Sequence, residues 1–314
     1  MADYDDIFLI PRGISSISSR SEVSLESSLF GLYPFWSSPM RGISGSKLVI
    51  EFGKNNCLGI IHRFQTIENR LKMISDVAKE NILFGVAIGF GKDLEEFKAL
   101  EIPILKNAVE RGAIVGMIDV ANGYIKGWEA RGRILKDIFP DLRLAGGNVV
   151  TQEGASYLKQ CGFDYIRVGI GSGFLCETRR VTGVGRSQLS AIADCSHVDV
   201  KIISDGGINE PGKAVKSFAY GSDFVMLGSL LGQSLEAEHD GIIFGMASHR
   251  NMMLTGKQVK SIEGRDVVVE KKLPLKEILD QFIWGVRSAC TYLDCSNVRE
   301  LSYKCRIVSV SEET

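Results

Sequence analysis

The sequence predicts an α/β fold, because short apolar runs rich in β-branched residues alternate with longer amphipathic stretches. Eight such runs occur in the 314-residue chain, and eight repeats favour a closed (β/α)8 barrel of the TIM type over an open sheet. The spacing leaves no room for a second domain between the repeats. We therefore expect residues 1–314 to form a single barrel domain.

Each predicted strand ends in small or polar residues and is followed by a helical pattern. The strands are FWSSPM (35–40), CLGII (57–61), LFGVAI (83–88), IVGMIDV (114–120), LRLAGGN (142–148), YIRVGIG (165–171), VKIISDGG (200–207) and DFVMLGS (223–229). Helical periodicity is clear at residues 67–80 and 95–112, after the second and third strands. Runs that are apolar throughout are typical of parallel strands buried on both faces.

Residues 232–275 interrupt this alternation. The segment is polar, mixed in character and too long for an ordinary barrel loop, so we expect a mobile flap over the mouth of the barrel. Residues 274–293 resume helical periodicity and are expected to form the helix that closes the barrel.

Composition and charge exclude several classes of function. The formal net charge of −1 offers no polycationic face for nucleic acid or an anionic membrane. No apolar stretch approaches the roughly 18 to 20 residues of a membrane span, and the acidic start is unlike a secretory signal. Seven cysteines at irregular spacings, with no CxxC pair and only four histidines, argue against a disulfide framework and structural zinc. We expect a soluble cytoplasmic protein.

The ends of the last two predicted strands carry glycines that suit a phosphate group. SDGG (204–207) follows the seventh strand, and Gly228 with Ser229 ends the eighth. Glycines let backbone N–H groups approach an anion, and Ser229 can donate its hydroxyl. Either turn alone is equally well explained by tight strand-to-helix connections, but the two together favour phosphate. Asp205 could accept hydrogen bonds from ribose hydroxyls or cap the next helix, and with the turns it suggests a 5′-mononucleotide.

Cys176 is placed differently from a structural cysteine, which is expected inside a strand or on an apolar helix face, as at Cys57. It follows a Gly-Ser-Gly turn beyond the sixth strand, where Arg179 and Arg180 are expected to favour its thiolate. A thiolate beside a nucleotide site is a candidate nucleophile, and Thr178 could pass protons. These features favour a catalytic role for Cys176.

Long motifs in a fixed order resemble the IMP dehydrogenase and GMP reductase family, and the reductase branch in particular. They are DYDDIFLIPR (3–12), SSRSEV (18–23), DVANGY (119–124), GNVVT (147–151), RVGIGSGFLCETRRVTGVGRSQLSAI (167–192), SDGG (204–207), SDFVMLGS (222–229), GMAS (245–248), IEGR (262–265) and GVRSACTYL (285–293). The resemblance extends over nearly the whole chain. It implies that Cys176 attacks C2 of a purine ring and carries a covalent thioimidate.

The resemblance also separates the two branches. Dehydrogenases hydrolyse the intermediate with an Arg-Tyr pair in a long flap, whereas here only 16 residues separate Met246 from Glu263, with no Arg-Tyr among them. Reductases expel ammonia with a threonine and a glutamate, which Thr178 and Glu263 match. The pair of CBS domains usual in dehydrogenases is absent. The resemblance therefore implies NADPH-dependent reduction of GMP to IMP, with Cys176, Thr178 and Glu263 as catalytic residues.

Binding residues follow from the resemblance in the same way. For the nucleotide they are Ser38, Met40, Asp205, Gly206, Gly207, Gly228, Ser229, Gly245, Met246, Ala247, Lys260 and Gly264. For NADPH they are Ser19, Arg20, Arg63, Asp119, Val120, Ala121, Ile170, Gly171, Lys260, Ser288, Ala289, Cys290 and Thr291, where the first two and the last four reach the cofactor across a subunit boundary of a homotetramer. For a monovalent cation, K⁺, they are Gly171, Gly173, Cys176 and Arg179.

Simpler explanations stay open for several of these residues. Asp119 and Asn122 could cap the next helix, Arg63 could be a surface cation, and Glu263 could be a solvated charge in an exposed loop.

The sequence also departs from the reductase pattern. Arg41 stands where the family has an acidic residue, Ser38, Met40 and Ser229 are more like the dehydrogenase, and Lys260 and Ile262 replace an arginine and a serine. These changes leave open a deoxynucleotide or a modified purine as substrate. Three further functions are an NAD-dependent IMP dehydrogenase, a non-catalytic nucleotide sensor and a flavin-dependent phosphate-binding barrel. A sensor has no need of a nucleophile and a proton relay, and a flavin enzyme leaves the thiol loop unexplained.

Overall fold

The computed structural model describes residues 2–256 and 261–312, and its centre is an eight-stranded parallel barrel. In chain order the strands are β1 (Ile7–Ile10), β2 (Phe35–Ser37), β3 (Gly59–Ile61), β4 (Phe84–Ile88), β5 (Ala113–Asp119), β6 (Arg143–Val149), β7 (Tyr165–Val168), β8 (Lys201–Asp205), β9 (Phe224–Leu227), β10 (Ile242–Phe244), β11 (Asp266–Val268) and β12 (Arg306–Ser309). Strands β3 to β9 pair in sequence order, and β9 pairs with β2. Backbone hydrogen bonds from Leu58 N to Phe35 O, 3.1 Å, and from Ser37 N to Leu58 O, 3.0 Å, close the barrel. The predicted fold is confirmed.

Most of the helices cover the outside of the barrel, and two short ones lie at its mouth. They are α1 (Ser46–Lys54), α2 (Ile67–Ala78), α3 (Leu94–Glu96), α4 (Ile102–Val109), α5 (Trp128–Ile138), α6 (Gln152–Gln160), α7 (Thr178–Thr182), α8 (Gln188–Cys195), α9 (Pro211–Ala219), α10 (His249–Leu254), α11 (Leu275–Tyr292) and α12 (Leu301–Lys304). A π-helical turn, Phe97–Glu101, joins α3 and α4. The predicted helices at residues 67–80, 95–112 and 274–293 correspond to α2, the α3–α4 pair and α11. None of the helices among the described residues is both long and apolar enough to span a bilayer.

Side chains from alternate strand positions fill the barrel interior. The rings of Trp36, Tyr165 and Phe224 lie 5.1 to 5.5 Å apart and form its aromatic centre. A second and larger apolar cluster lies between the strands and the helices. Because both faces of the barrel strands are buried, their sequences are mainly apolar instead of alternating. The packed interior leaves the ends of the strands as the place for a site.

The segment at residues 232–275 has internal structure that the sequence did not predict. It contains β10, α10 and β11, and β10 pairs antiparallel with β11. Gly264, which lies in this segment, forms an antiparallel bridge with Cys176, so the segment lies over the mouth as predicted. Its mobility stays a prediction. A further pair, β1 with β12, joins the two ends of the chain.

Candidate active site

One cavity of about 610 Å³ opens at the C-terminal ends of the barrel strands, a size typical of small-molecule sites. It brings together most residues that the sequence analysis selected. These are Ser38, Met40, Arg63, Asp119, Val120, Ala121, Ile170, Gly171, Gly173, Cys176, Thr178, Asp205, Gly206, Gly207, Gly228, Ser229, Gly245, Met246, Ala247 and Glu263. These residues, which include members of the predicted nucleotide, cofactor and catalytic sets, thus share one cavity.

The loop after β7, residues 169–178, which we call the Cys176 loop, carries the candidate nucleophile. The backbone N–H of Cys176 donates to the carbonyl of Gly173 at 2.9 Å, which folds the loop into a tight turn. Two further backbone bonds tie the loop to the overlying segment, from Glu177 N to Glu263 O at 2.7 Å and from Arg265 N to Leu175 O at 3.1 Å. The loop and the segment therefore form one unit at the mouth.

A chain of hydrogen bonds leads from the thiol to a carboxylate. The Cys176 thiol donates to Thr178 Oγ1 at 3.2 Å, and the Thr178 hydroxyl donates to Glu263 Oε2 at 2.9 Å. Cys176 and Glu263 are both half-buried. Glu263 is therefore not a freely solvated charge, and the three residues form a path along which a proton can move.

The two arginines that follow the Cys176 loop donate their hydrogen bonds elsewhere. Arg180 donates to the carboxylate of Glu177, and Arg179 donates to the carbonyl of Ile170 at 3.4 Å and to that of Arg186. Among the described residues, neither guanidinium donates a hydrogen bond to the Cys176 sulfur. That these arginines favour the thiolate stays a prediction.

Buried charges join the ends of β5, β7 and β8. Arg167 donates from Nη1 to Asp119 Oδ1 at 2.6 Å and from Nη2 to Asp205 Oδ2 at 2.8 Å. Arg63 Nε donates to Asp119 Oδ2 at 3.2 Å, and Asn148 Nδ2 donates to Asp205 Oδ2 at 2.8 Å. We call these five residues the strand-end network. It fixes the positions of two carboxylates on the cavity wall.

Electrostatics keeps this network charged. Burial alone would raise the pKa of Asp119, but the positive charges of Arg167 and Arg63 outweigh it and hold that pKa below its usual value. For Arg167, burial alone would lower the pKa. The carboxylates of Asp205 and Asp119 outweigh this effect and hold the pKa of Arg167 above its usual value. Asp119 and Arg167 are therefore both ionised at neutral pH.

Three of the simpler explanations are wrong. Asp119 and Asp205 bind arginines instead of capping helices, and Arg63 is paired instead of being a surface cation. The sequence analysis missed Arg167 and Asn148. A signal was present for both, because each lies inside or at the end of an otherwise apolar predicted strand, where a polar side chain must find a partner.

The two glycine turns form one end of the cavity. Gly206 and Gly207 have φ angles of 127° and 77°, which side chains rarely adopt. A Cβ atom at Gly206 would stand 2.1 Å from Ser172 Oγ, and one at Gly207 would stand 3.0 Å from the Tyr4 ring. Glycine is therefore required by the turn itself as well as being suited to an anion.

Some predicted residues do not line the cavity. They are Ser19, Arg20, Arg179, Gly264, Ser288, Ala289, Cys290 and Thr291. Lys260 lies outside the described residues. Gly264 acts through its backbone, since a Cβ there would stand 2.8 Å from Ser248 N. The Cys290 side chain is fully buried, so it has no surface to offer a cofactor.

Arg41, which departs from the reductase pattern, also lies outside the cavity lining. Its backbone N–H donates to the Met246 sulfur at 3.4 Å, and its guanidinium donates to the carbonyl of Leu254, the last residue of α10, at 3.4 Å. A cation at the C-terminal end of a helix is favoured by the helix dipole. Arg41 therefore holds the overlying segment in place.

The cavity at the strand ends holds a thiol, a hydrogen-bonded path from it to a carboxylate, and charged residues on its wall. This combination is typical of a TIM-barrel enzyme. The chain belongs to the IMP dehydrogenase / GMP reductase family, whose domain model matches residues 2–314. Members of this family are oxidoreductases that use NAD(P) and act on purine mononucleotides.

Individual relatives are similar over their full length. A GMP reductase of Phytophthora infestans is 31% identical, with 99% of this chain and 91% of the relative aligned. GMP reductase 2 of Bos taurus is 31% identical, with 99% and 94% aligned. A GMP reductase of Buchnera aphidicola subsp. Schizaphis graminum is 32% identical, again with 99% and 94% aligned.

Proposed function

We propose that the protein is a GMP reductase, which converts GMP, NADPH and a proton to IMP, NADP⁺ and ammonia. The observation that supports this most strongly is the hydrogen-bonded chain from Cys176 through Thr178 to Glu263. A reductive deamination needs a nucleophile that can hold the purine and a group that can deliver a proton to the departing amine. This chain supplies both at one point of the cavity.

The cavity lining suggests how the nucleotide lies. Its 5′-phosphate would bind at the glycine turns, where N–H groups and the Ser229 hydroxyl are available. Both hydrogen bonds that the Asp205 carboxylate accepts from the described residues fall on Oδ2, so Oδ1 can accept from the ribose hydroxyls. The purine then extends towards Cys176, in the space that Met246 also borders.

In the first half-reaction the Cys176 sulfur bonds to C2 of GMP. The thiol proton passes through Thr178 to Glu263 and returns by the same path to the 2-amino group. The bond between C2 and that nitrogen breaks, and the amino group leaves as ammonia with the proton that the thiol lost. C2 stays bound to the sulfur as a thioimidate.

In the second half-reaction C2 gains a hydrogen and the sulfur leaves. NADPH, when bound, supplies this hydrogen as hydride. The electrons of the broken C–S bond return to Cys176 as thiolate, which takes up a proton from solvent through the relay. Arg63, Asp119 and Ile170 line the cavity beside the Cys176 loop and would hold the nicotinamide end. Asp119 fits this role, because its ionised carboxylate can accept further hydrogen bonds from ribose hydroxyls.

A monovalent cation such as K⁺ would bind the carbonyl groups of the Cys176 loop. The carbonyl oxygens of Gly171 and Cys176 accept no hydrogen bond from the described residues, and that of Gly173 accepts one, from Cys176 N. Such hard oxygen atoms suit an alkali cation. Because Ser19, Arg20 and Ser288 to Thr291 lie outside the cavity, any contact they make with NADPH would be to that of a neighbouring subunit, as in a homotetramer.

The test follows absorbance at the reduced nicotinamide band with ammonia assayed in the same tube. With GMP we expect NADPH oxidation and one ammonia released per NADPH consumed. A parallel reaction with dGMP tests for a specialised substrate, and one with IMP and NAD tests for a dehydrogenase. Reduction of NAD by IMP without ammonia chemistry would contradict the proposal, and faster turnover of dGMP would change the substrate but keep the reaction.

A further inference from the structure

The charges around the cavity leave one cation without a strong protein partner. Within residues 2–256 and 261–312 the charged side chains that line the cavity are Arg63, Asp119, Arg167, Asp205, Lys213 and Glu263. The first four are paired with one another in the strand-end network, and Glu263 accepts a hydrogen bond from Thr178. Lys213 is the remaining charged residue of the cavity lining, and it takes part in neither of these interactions.

The surroundings of Lys213 are unusual for a lysine. Its side chain is only 17% exposed, yet its ammonium group donates no hydrogen bond to any residue described here. The nearest carboxylate oxygen, Oε1 of Glu210, is 3.6 Å away and belongs to a side chain that is 60% exposed. Such a loose surface pair contributes little. A cation on the cavity wall with only this loose partner can form a charge-assisted hydrogen bond to an anionic ligand.

The position of Lys213 in helix α9 adds to this. It is the third residue of the helix, in the first turn, where the dipole and the unpaired N–H groups repel a cation. Fold stability therefore disfavours a lysine at this place. An anion bound nearby would be attracted both by the helix N-terminus and by the Lys213 ammonium, and would offset the repulsion between these two.

Lys213 lies at the phosphate end of the cavity. Its Nζ is 5.9 Å from the centre of the Tyr4 ring, and an edge of the same ring is 3.0 Å from the point where a Cβ of Gly207 would stand. Ile208 and Asn209, between the glycine turn and α9, also line the cavity. Lys213 and the turn to which we assign the phosphate thus contact the same Tyr4 ring and line the same cavity.

We propose that Lys213 binds the 5′-phosphate of the nucleotide and adds a positive charge to the neutral donors of the two glycine turns. This rests on the proposed function for the position of the phosphate. The substrate class that follows is a nucleotide whose phosphate is dianionic, in preference to a nucleoside with the same base. A lysine acts here as a point charge, so an arginine can replace it in charge but not in shape.

Calorimetric titration of GMP and of guanosine into the full-length protein tests this. For Lys213→Met we expect the GMP dissociation constant to rise about ten- to hundred-fold, the range of a lost charge-assisted hydrogen bond. Guanosine binding should change by less than about threefold, because a nucleoside lacks the phosphate. The wild-type GMP dissociation constant should rise with salt more steeply than that of the variant.

Two matched variants separate charge from packing. Lys213→Arg keeps the charge and should keep GMP affinity within about threefold of wild type, a smaller loss than in Lys213→Met. Lys216→Met removes a lysine one turn along α9 that donates to the carbonyl of Tyr4 and does not line the cavity, so its GMP affinity should stay as in wild type. Equal loss in Lys213→Arg and Lys213→Met would overturn the inference in favour of packing.

The outcomes also separate this inference from the proposed function. If Lys213→Met binds GMP as tightly as the wild type does, the inference is overturned and the reductase proposal stands. If the wild type binds ribose 5-phosphate but neither binds nor turns over GMP, and Lys213→Met loses ribose 5-phosphate binding, the reductase proposal fails and the lysine site stands.

Discussion

The Cys176 loop and the barrel body give the same side chain two opposite environments. Cys176 is half-buried, lines the cavity and donates to Thr178. The other six cysteines are buried, and desolvation by burial raises the pKa of each thiol, to about 11 at Cys161, to about 12 at Cys195, Cys290 and Cys295, and also at Cys57 and Cys305. Reactivity in this protein therefore follows from position more than from residue type.

The difference shows how the mouth and the body divide their tasks. In the body a cysteine behaves as a small apolar side chain that fills space between strands and helices. At the mouth, contacts between the Cys176 loop and the overlying segment give the thiol a hydroxyl and a carboxylate as neighbours. The chemistry depends on this contact between two separate parts of the chain.

The largest expected effect comes from removing the thiol at the mouth. In Cys176→Ala, turnover of GMP with NADPH should fall by at least about a thousand-fold, because no other group can form the bond to C2. GMP binding, measured by calorimetry, should persist because the phosphate and ribose contacts remain. Undiminished turnover in this variant would break the comparison, since the thiol at the mouth would then be no more important than those in the body.

The next effect concerns the relay beside the thiol. In Glu263→Gln the rate of NADPH oxidation should fall by about 10²- to 10⁴-fold, the range of a lost general acid or base, while the KM for GMP changes little. Thr178→Val should act in the same direction, whereas Thr178→Ser keeps the hydroxyl and should keep most of the rate. A Thr178→Val variant as active as Thr178→Ser would show that the hydroxyl carries no proton.

A smaller effect is expected in the cavity wall. Arg167→Met leaves Asp119 and Asp205 buried without their main cation, and the loss of one partner of a buried pair typically costs about 3–5 kcal/mol in the free energy of unfolding. The KM values for both GMP and NADPH should also rise, because both carboxylates lose their position. As a control, Lys201→Met removes an exposed partner of Asp223 and should cost about 0–1 kcal/mol.

Arg167→Met should also change how the free energy of unfolding depends on pH in the acid range. In the wild type the pKa of Asp119 lies below its ordinary value of 3.8, so its contribution to stability is present above pH 3.8 and is lost as the pH falls through the lower folded value. Without Arg167, the burial of Asp119 is offset less and its pKa rises, so less stability is lost on acidification and the difference in the free energy of unfolding between wild type and variant narrows as the pH falls. Urea unfolding at a series of pH values measures the shift, and an unchanged acid limb would show that Asp119 does not depend on Arg167.

The sequence predicted the barrel because its parallel strands, buried on both faces, leave continuous apolar runs. It did not predict the pairing of β1 with β12 or of β10 with β11, since these strands are short and pair with partners far along the chain. Local patterns carry no information about such partners. The same limit explains why the segment over the mouth was expected as a flap without strands or helices of its own.

The sequence predicted some residues of the site and missed others. The rule that strand ends carry function, together with the family motifs, selected Cys176, Asp119 and Asp205. Arg167 was missed because its partners, Asp119 and Asp205, come from two other strands that only the folded chain brings together. Charge near a residue in sequence is thus a poor measure of charge near it in space.

The smallest expected effect lies in the barrel body. Cys57→Ala removes a fully buried sulfur and should lower the free energy of unfolding by about 1–2 kcal/mol through lost packing. Turnover should stay as in wild type, and so should the rate at which iodoacetamide modifies Cys176 in the native protein, because burial keeps the pKa of the Cys57 thiol high and denies access to it. GMP should protect Cys176 from the reagent in both proteins. Native modification of Cys57 at a rate comparable to that of Cys176 would remove the contrast between mouth and body, since burial would then no longer separate a reactive thiol from an inert one.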